Sequence, residues 1–487
     1  MRWLLLTWLW CFLAPAEIEW GLMSGALLLG IELVWWAQRR QARLWLIGPA
    51  VGLAINVVFF AIWQIVPKFD YSSGMHINLE AILQMSTYHL QGLIYPSAPL
   101  AVPLVGQFGL NDLNAVRLVG AATLIVVLGL LIRRGRAILA LAALGWFGLL
   151  IFPTLVTVDF DYVINSPRLL YPAAPGIVLL WAAWIAEVVS AGRWRRTRLA
   201  SVAAAGGLVL AQNVAFVQME NRLYHLAEQP VHALAAAARM APGDEALLFI
   251  NLPSWLAPQW RDYALGNHGV QFITGYASIN DVIFAYNGVD RVSRAVSFTN
   301  LVNNTPYWLG LFGPKLDWDG LVRQMSQSGQ VYLTIYQDER IRLLPAGRVT
   351  AVEFGDRIAQ LGSDLELGSA YVSDDGWSVE VELTWRMLRP VERDLAVFAH
   401  LYAPDGRLVA QADGDPLLGL APFWLWQPNR VIQDRRGLTW PADAAAGTYR
   451  IGVGVYDRGS GRRLAAAGPD GARLPDDTLI VATLARP

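Results

Sequence analysis

The chain has 487 residues, of which 55% are hydrophobic and 16% are charged, against about 25% charged residues in a typical soluble protein. A net charge of -1 gives no indication of nucleic-acid binding, and a single cysteine, Cys11, allows neither an internal disulfide nor a cysteine metal cluster. Most acidic residues follow residue 217, which predicts a membrane domain followed by a soluble part.

Seven apolar stretches in the first half are candidates for membrane-spanning helices, which need about 17–25 residues. They cover residues 3–16, 20–37, 44–65, 115–132, 138–155, 169–189 and 199–217. The first is short and ends in Leu-Ala-Pro-Ala, so it is either a spanning helix or a cleaved signal peptide. Residues 78–94 have helical spacing and precede a proline-containing apolar piece. They predict an interfacial helix, followed by either a re-entrant segment or a helix lying flat on the membrane.

Arginine clusters follow the second, fourth and sixth apolar stretches. They are Arg39, Arg40 and Arg43; Arg133, Arg134 and Arg136; and Arg193, Arg195, Arg196 and Arg198. Since basic loops stay on the cytoplasmic side, the alternate loops, residues 17–19, 66–114 and 157–168, face outward. The sequence therefore predicts a multi-pass membrane protein, with everything after about residue 218 extracytoplasmic.

Residues 218–350 predict an extracytoplasmic α/β domain. Its first segment has helical character, with a proline at position 230 that should break or kink the helix. "EALLFINL", "GVQFITGY" and "DVIFAYNG" are predicted as strands, "LDWDGLVRQMSQSG" as a helix and "QVYLTIYQ" as the strand that follows it.

Residues 351–487 predict an all-β sandwich. "WSVEVELTW" and "TYRIGVGVYD" alternate apolar and polar residues, and "DLAVFAHLYAPDGRLVAQAD" is typical of a hairpin with a Pro-Asp-Gly turn. The predicted fold is thus a polytopic α-helical membrane domain of about seven helices (1–217), an extracytoplasmic α/β domain (218–350) and a C-terminal all-β sandwich (351–487). The scattered histidines and a lone Asp-x-Asp in a loop predict no metal site.

The stretch "NSPRLLYPAAPG" places Arg168 on the predicted outer side, where basic residues are scarce. An arginine fork suits a phosphate group, and the alternative is an interfacial Arg168–Tyr171 pair at the level of the lipid headgroups. Asp159 and Asp161 share that loop. The alternatives for each are an ion pair with Arg168 or a role as an acid that acts on the acceptor of a transferred group. Glu17 also faces outward as a candidate acidic residue or a solvated helix end.

Two resemblances add to these predictions. Residues 144–182 resemble a late segment of GT-C superfamily membrane glycosyltransferases, nearest to the O-mannosyltransferase-like branch; Arg168, Leu170, Tyr171, Pro172 and Gly176 match its "ERYLYLPSVG"-like pattern, although Pro167 replaces the usual acidic residue. Residues 351–487 resemble a β-sandwich appended to large membrane proteins of this type in Chloroflexi-like bacteria, on "VFAHLYAPDGRLVAQADGDP" and "WQPNRVIQDRRGLTWPADAAAGTYRIGVGVYD".

The first resemblance implies a polyprenyl-phosphate sugar as donor, an extracytoplasmic glycan or protein as acceptor, membrane lipid as a partner and no further cofactor. The second implies that the membrane is a bacterial plasma membrane. However, the catalytic acidic first external loop of that superfamily has no equivalent here. The resemblance therefore predicts an N-terminally truncated member, one completed by a separate polypeptide, or one that has lost its activity. The alternative function is a non-catalytic, membrane-anchored envelope or glycan-binding protein.

Overall fold

The computed structural model describes residues 7–9, 11, 13, 21, 23–39, 47–65, 78–190, 194–241, 245–266, 269–302, 304–349 and 352–486. They form two compact units: Met1–Met219 with Trp260–His268, and Glu220–Gln259 with Gly269–Pro487. The helical first part and the largely β-structured later part of the chain are confirmed. Residues 1–16, predicted as either a spanning helix or a cleaved signal peptide, lie outside the described residues, apart from 7–9, 11 and 13.

The first unit is helical. Its helices are α1 (Ser24–Arg39), α2 (Ile47–Ile65), α3 (Leu79–Leu93), α4 (Ala101–Phe108), α5 (Asp112–Arg133), α6 (Ala137–Thr157), α7 (Phe160–Ile164) and α8 (Ala174–Ser190), and α9 (Arg195–Met240) begins in this unit and ends in the second. Among the described residues, α5, α6 and α9 are long and apolar enough to cross a membrane, and α1, α2, α4 and α8 contain shorter apolar stretches.

Of the predicted break or kink at Pro230, the break is absent. Residue 230 lies inside α9, a single helix of 46 residues that also includes the predicted span 199–217. A proline removes one backbone donor and disfavours the helix interior. Here Pro230 is buried together with Leu226 and Val231, and Leu234, one turn further along the helix, belongs to an apolar core of the second unit.

Polar and glycine contacts join the helices of the first unit. The Asn56 side chain of α2 accepts a hydrogen bond from the backbone N–H of Gly25 at 2.7 Å and donates to the Ser24 hydroxyl at 3.2 Å, which fixes α1 against α2. In the turn between α5 and α6, Arg136 forms an ion pair with Glu187 of α8, with an N–O distance of 2.8 Å. The apolar core of the unit lies between α5, α6 and α8.

The second unit contains all the strands that the structure describes. They are β1 (Leu247–Ile250), β2 (Pro253–Pro258), β3 (Val270–Gln271), β4 (Ser293–Val296), β5 (Tyr307–Leu311), β6 (Gln330–Gln337), β7 (Arg340–Arg348), β8 (Ala359–Leu361), β9 (Leu365–Asp374), β10 (Ser378–Met387), β11 (Leu395–Tyr402), β12 (Leu408–Gln411), β13 (Val431–Thr439), β14 (Gly447–Asp457), β15 (Ala466–Ala467) and β16 (Leu479–Arg486). Two helices accompany them, α10 (Ile279–Asn287) and α11 (Trp318–Ser326).

One nine-stranded sheet runs through this unit in the order β15-β8-β9-β10-β13-β7-β6-β1-β4. Strands β4, β1 and β6 are parallel, and β6 pairs with β7 and β7 with β13 in antiparallel fashion. Strands from both sides of residue 350 therefore belong to one sheet, while the predicted division into three domains stays a prediction. A four-stranded sheet, β12-β11-β14-β16, shares an apolar core with the large sheet, and β3-β2-β5 form a small third sheet.

The prediction of a strand for "DVIFAYNG" is wrong, because these residues lie in α10 and its cap. The Ser278 hydroxyl accepts from the backbone N–H of Asp281, and the Asp281 carboxylate accepts from the backbone N–H of Ser278. This capping box starts a helix, and Gly288, at φ 69°, ends it. The other predicted strands and the helix at "LDWDGLVRQMSQSG" are present, although "GVQFITGY" contributes only Val270–Gln271.

Candidate functional site

Arg168 lies in a short 3₁₀ turn, Pro167–Leu170, between α7 and α8. Its guanidinium is exposed, and Nη2 donates a hydrogen bond to the hydroxyl of Tyr162 at 2.9 Å. Tyr171, the other predicted binding residue, is 73% exposed. The turn therefore presents a cation at the start of an apolar helix, supported by a tyrosine that the sequence pattern did not single out.

The acidic candidates do not neutralise this arginine in the part of the chain that the structure describes. Asp159 is the N-cap residue of α7, Asp161 lies in its first turn, and both are exposed. Neither carboxylate is within 4.0 Å of a described basic group, and the backbone carbonyl of Asp161 accepts from the side chain of Asn165 at 2.7 Å. Glu17 lies outside the described residues.

Helix α3 presents a row of buried polar side chains to the rest of the first unit. Nε2 of His89, a fully buried residue, lies 2.9 Å from the hydroxyl of Thr154 on α6. Because Thr154 donates its own hydrogen to the Ile151 carbonyl at 2.7 Å, His89 must donate from Nε2. Two positions earlier, the Thr87 hydroxyl accepts from Nε of Arg117 on α5 at 3.0 Å. These bonds fix α3 against α5 and α6.

A segment from the later part of the chain completes the first unit. Residues 260–266 follow β2 in sequence but pack with the helices of the first unit. Arg261 binds both carboxylate oxygens of Asp112, at the start of α5, at 2.6 and 3.0 Å. The Gln91 side chain donates to the Leu265 carbonyl at 2.6 Å and accepts from the Leu265 N–H at 2.9 Å. The segment is thus held by an ion pair and by reciprocal hydrogen bonds to α3.

A cavity of about 210 Å³ lies between this segment, α3 and the turn that carries Arg168. Its lining residues are Tyr88, Gln91, Gly92, Tyr95, Ile164, Pro167, Leu170, Phe216, Tyr263, Leu265 and Gly266. The ring of Tyr263 stacks on that of Tyr95 at a centroid distance of 6.1 Å and meets Phe216 edge to face at 6.4 Å. The Tyr95 hydroxyl in turn donates to the side chain of Asn213.

The cavity carries no formal charge. None of its lining residues is an acid, a base or a histidine. Burial raises the pKa of the Tyr263 phenol above its ordinary range, and the neighbouring Tyr95 hydroxyl raises it further, so this phenol stays neutral near pH 7. The nearest basic residue in sequence is Arg168, next to Pro167. An uncharged, aromatic-lined recess thus adjoins a turn that carries a cation.

No metal centre accompanies the cavity: among the described residues, no group of three or more His, Cys, Asp or Glu side chains is placed to hold a metal ion. The residues that form the cavity were not predicted from the sequence. No protein-family model matches this chain, and no curated protein sequence matches it.

Proposed function

We propose that this protein is a multi-pass membrane protein related to glycosyltransferases that binds a polyprenyl-phosphate sugar at the outer face of the membrane, with Arg168 holding the phosphate. The observation that carries the proposal is the exposed guanidinium of Arg168 at the start of α8, which has no carboxylate partner among the described residues. A planar guanidinium binds phosphate oxygens through two parallel hydrogen bonds, and it stabilises the charge that returns to a leaving phosphate during sugar transfer.

Two features support a membrane location with the turn Pro167–Leu170, which carries Arg168, on the outer face. Helices α5 and α6 are long and apolar enough to cross a bilayer, and Arg133, the last residue of α5, is followed by Arg134 and Arg136 in the turn that joins the two helices. Arg168 lies beyond the opposite end of α6, since α6 separates the two positions. If the basic turn is cytoplasmic, Arg168 and everything after α9 face the outside. In the proposal the acceptor is an extracytoplasmic glycan or protein.

The topology makes a direct prediction. In a Cys11→Ser background, an impermeant maleimide added to intact cells should label Asn165→Cys and Asp443→Cys, and it should label Arg134→Cys only after the membrane is permeabilised. All three positions are exposed, so equal labelling of the three in permeabilised cells serves as the control. Labelling of Arg134→Cys in intact cells together with protection of Asn165→Cys would reverse the orientation and remove Arg168 from the outer face.

The phosphate role is tested by affinity. For the full-length protein in lipid nanodiscs, we expect Arg168→Gln to raise the Kd for farnesyl phosphate by roughly ten- to a hundredfold, since a hydrogen bond to a charged group contributes about 1.5–3 kcal/mol. The Kd of Arg168→Lys, which keeps the charge but loses the planar guanidinium, should lie between those of wild type and Arg168→Gln. Arg134→Gln, an exposed arginine in the turn after α5, is the matched control. Unchanged affinity in Arg168→Gln would refute the phosphate role.

A further inference from the structure

We propose that the 210 Å³ cavity holds the uncharged sugar ring of the lipid-linked sugar, and that residues 260–266 form one of its walls. This inference rests on the proposed function and adds to it the residues that would recognise the sugar. It assigns a binding role to a segment that follows the predicted membrane domain by more than forty positions.

The chemistry of the lining fits a neutral ring rather than an ion. Four of the lining residues, Tyr88, Tyr95, Phe216 and Tyr263, are aromatic, and none carries a charge. Aromatic side chains offer large rigid faces for the C–H surfaces of a sugar, and tyrosine adds a hydroxyl that pairs with polar groups. A charged ligand would instead need a partner of opposite sign within the cavity.

Tyr88 supplies a polar group for such a ligand. It lines the cavity, and although the residue is only 6% exposed, its hydroxyl is not a buried group left without a partner. A sugar hydroxyl in the cavity would pair with the Tyr88 hydroxyl, whereas an isoprenoid chain would not.

The position of the cavity matches the order of groups in a sugar phosphate. Pro167 and Leu170 contribute to the wall, while Arg168, between them in sequence, is exposed. Arg168 itself does not line the cavity, and its guanidinium donates to the Tyr162 hydroxyl. In the proposed complex the sugar ring occupies the cavity and the phosphate lies outside it, toward the turn that carries Arg168.

Residues 260–266 form one wall of the cavity. Tyr263, Leu265 and Gly266 line it, and the segment is held by the Arg261–Asp112 ion pair and the Gln91–Leu265 hydrogen bonds. These contacts position the Tyr263 ring in the wall.

The test compares two lipids on the full-length protein in nanodiscs: farnesyl phosphate, and farnesyl phosphate carrying a single mannose. We expect wild-type protein to bind the mannose-bearing lipid roughly tenfold more tightly, a gain of the size that aromatic and hydroxyl contacts supply. Tyr263→Ala should remove this preference while leaving the affinity for farnesyl phosphate unchanged. Tyr88→Phe, which keeps the ring and removes only the hydroxyl, should reduce the preference without altering the fold.

The outcomes separate this inference from the proposed function. Tyr371→Ala, a substitution of an exposed tyrosine in β9, is the control and should keep the preference. If wild type binds both lipids equally, or if Tyr263→Ala and Tyr88→Phe both keep the full preference, the sugar assignment is overturned while the phosphate role of Arg168 stands. If neither lipid binds to wild type, the proposed function fails and the sugar assignment fails with it.

Discussion

Replacing Asp434 with asparagine should lower the free energy of unfolding of the second unit by about 3–5 kcal/mol, the usual cost of breaking one side of a buried ion pair. Asp434, on β13, is fully buried; its carboxylate accepts from Nε of Arg436 at 2.7 Å and from the backbone N–H of Leu417 at 2.8 Å. Arg436 also donates to the carbonyls of Val397 and Ala412, beside the four-stranded sheet. The pair therefore links the two β-sheets of the core.

This loss should be measured on the full-length protein in detergent by pulse proteolysis at increasing urea, with detection of the C-terminal region. Asp443→Asn is the matched control, because Asp443 is exposed and has no ion pair among the described residues. The double replacement Asp434→Leu with Arg436→Met should recover much of the loss, since paired apolar substitutes leave no uncompensated charge. If Asp434→Asn unfolds at the same urea concentration as Asp443→Asn, the buried pair does not stabilise the unit.

Periodicity predicted the regular elements well where one local pattern dominates. The alternation in "WSVEVELTW" corresponds to β10, and the Pro-Asp-Gly turn corresponds to the β11–β12 hairpin, with Gly406 at φ 86°. The same reasoning failed at residues 281–288, because a short apolar run fits a strand or a buried helix equally well. There the capping box of Ser278 and Asp281 starts a helix, and Ser278 lies three residues before the apolar run.

The candidate site shows a different limit. Arg168 was accessible to sequence reasoning because its charge stands out against an apolar background. Tyr88 and Tyr263 could not be predicted in this way, because they are 175 positions apart and line one cavity only through tertiary packing. Asp112 and Arg261 are likewise partners at a separation of 149 positions. Periodicity within the sequence around Asp112 or around Arg261 does not indicate that the two residues pair. The composition, moreover, assigns residues 260–266 to the soluble part.

Gly176 of the "NSPRLLYPAAPG" stretch packs against the backbone of α6. We expect Gly176→Ala to lower the free energy of unfolding of the first unit by about 1–3 kcal/mol. A Cβ atom at this position would lie 2.6 Å from the Ala143 carbonyl oxygen and 2.9 Å from the Phe147 backbone nitrogen, both on α6. Backbone atoms cannot rotate away as a side chain can, so α8 would have to move off α6. For a unit of this size, such a loss corresponds to a fall in Tm on the order of 2–10 °C.

The measurement is the fraction of full-length protein that stays monodisperse after heating in detergent. Gly148→Ala is the control, because an added Cβ there meets nothing within 4 Å, and alanine favours a helix over glycine. Pro172, between the Arg168 turn and α8, accepts a hydrogen bond from Trp146 of α6 at 3.1 Å. Moving α8 off α6 should break this bond, shift the Arg168 turn and weaken farnesyl phosphate binding. Equal stability of the two alanine variants would show that α6 and α8 tolerate a wider separation. Reduced stability with unchanged phosphate affinity would separate the packing of α8 from the placement of Arg168.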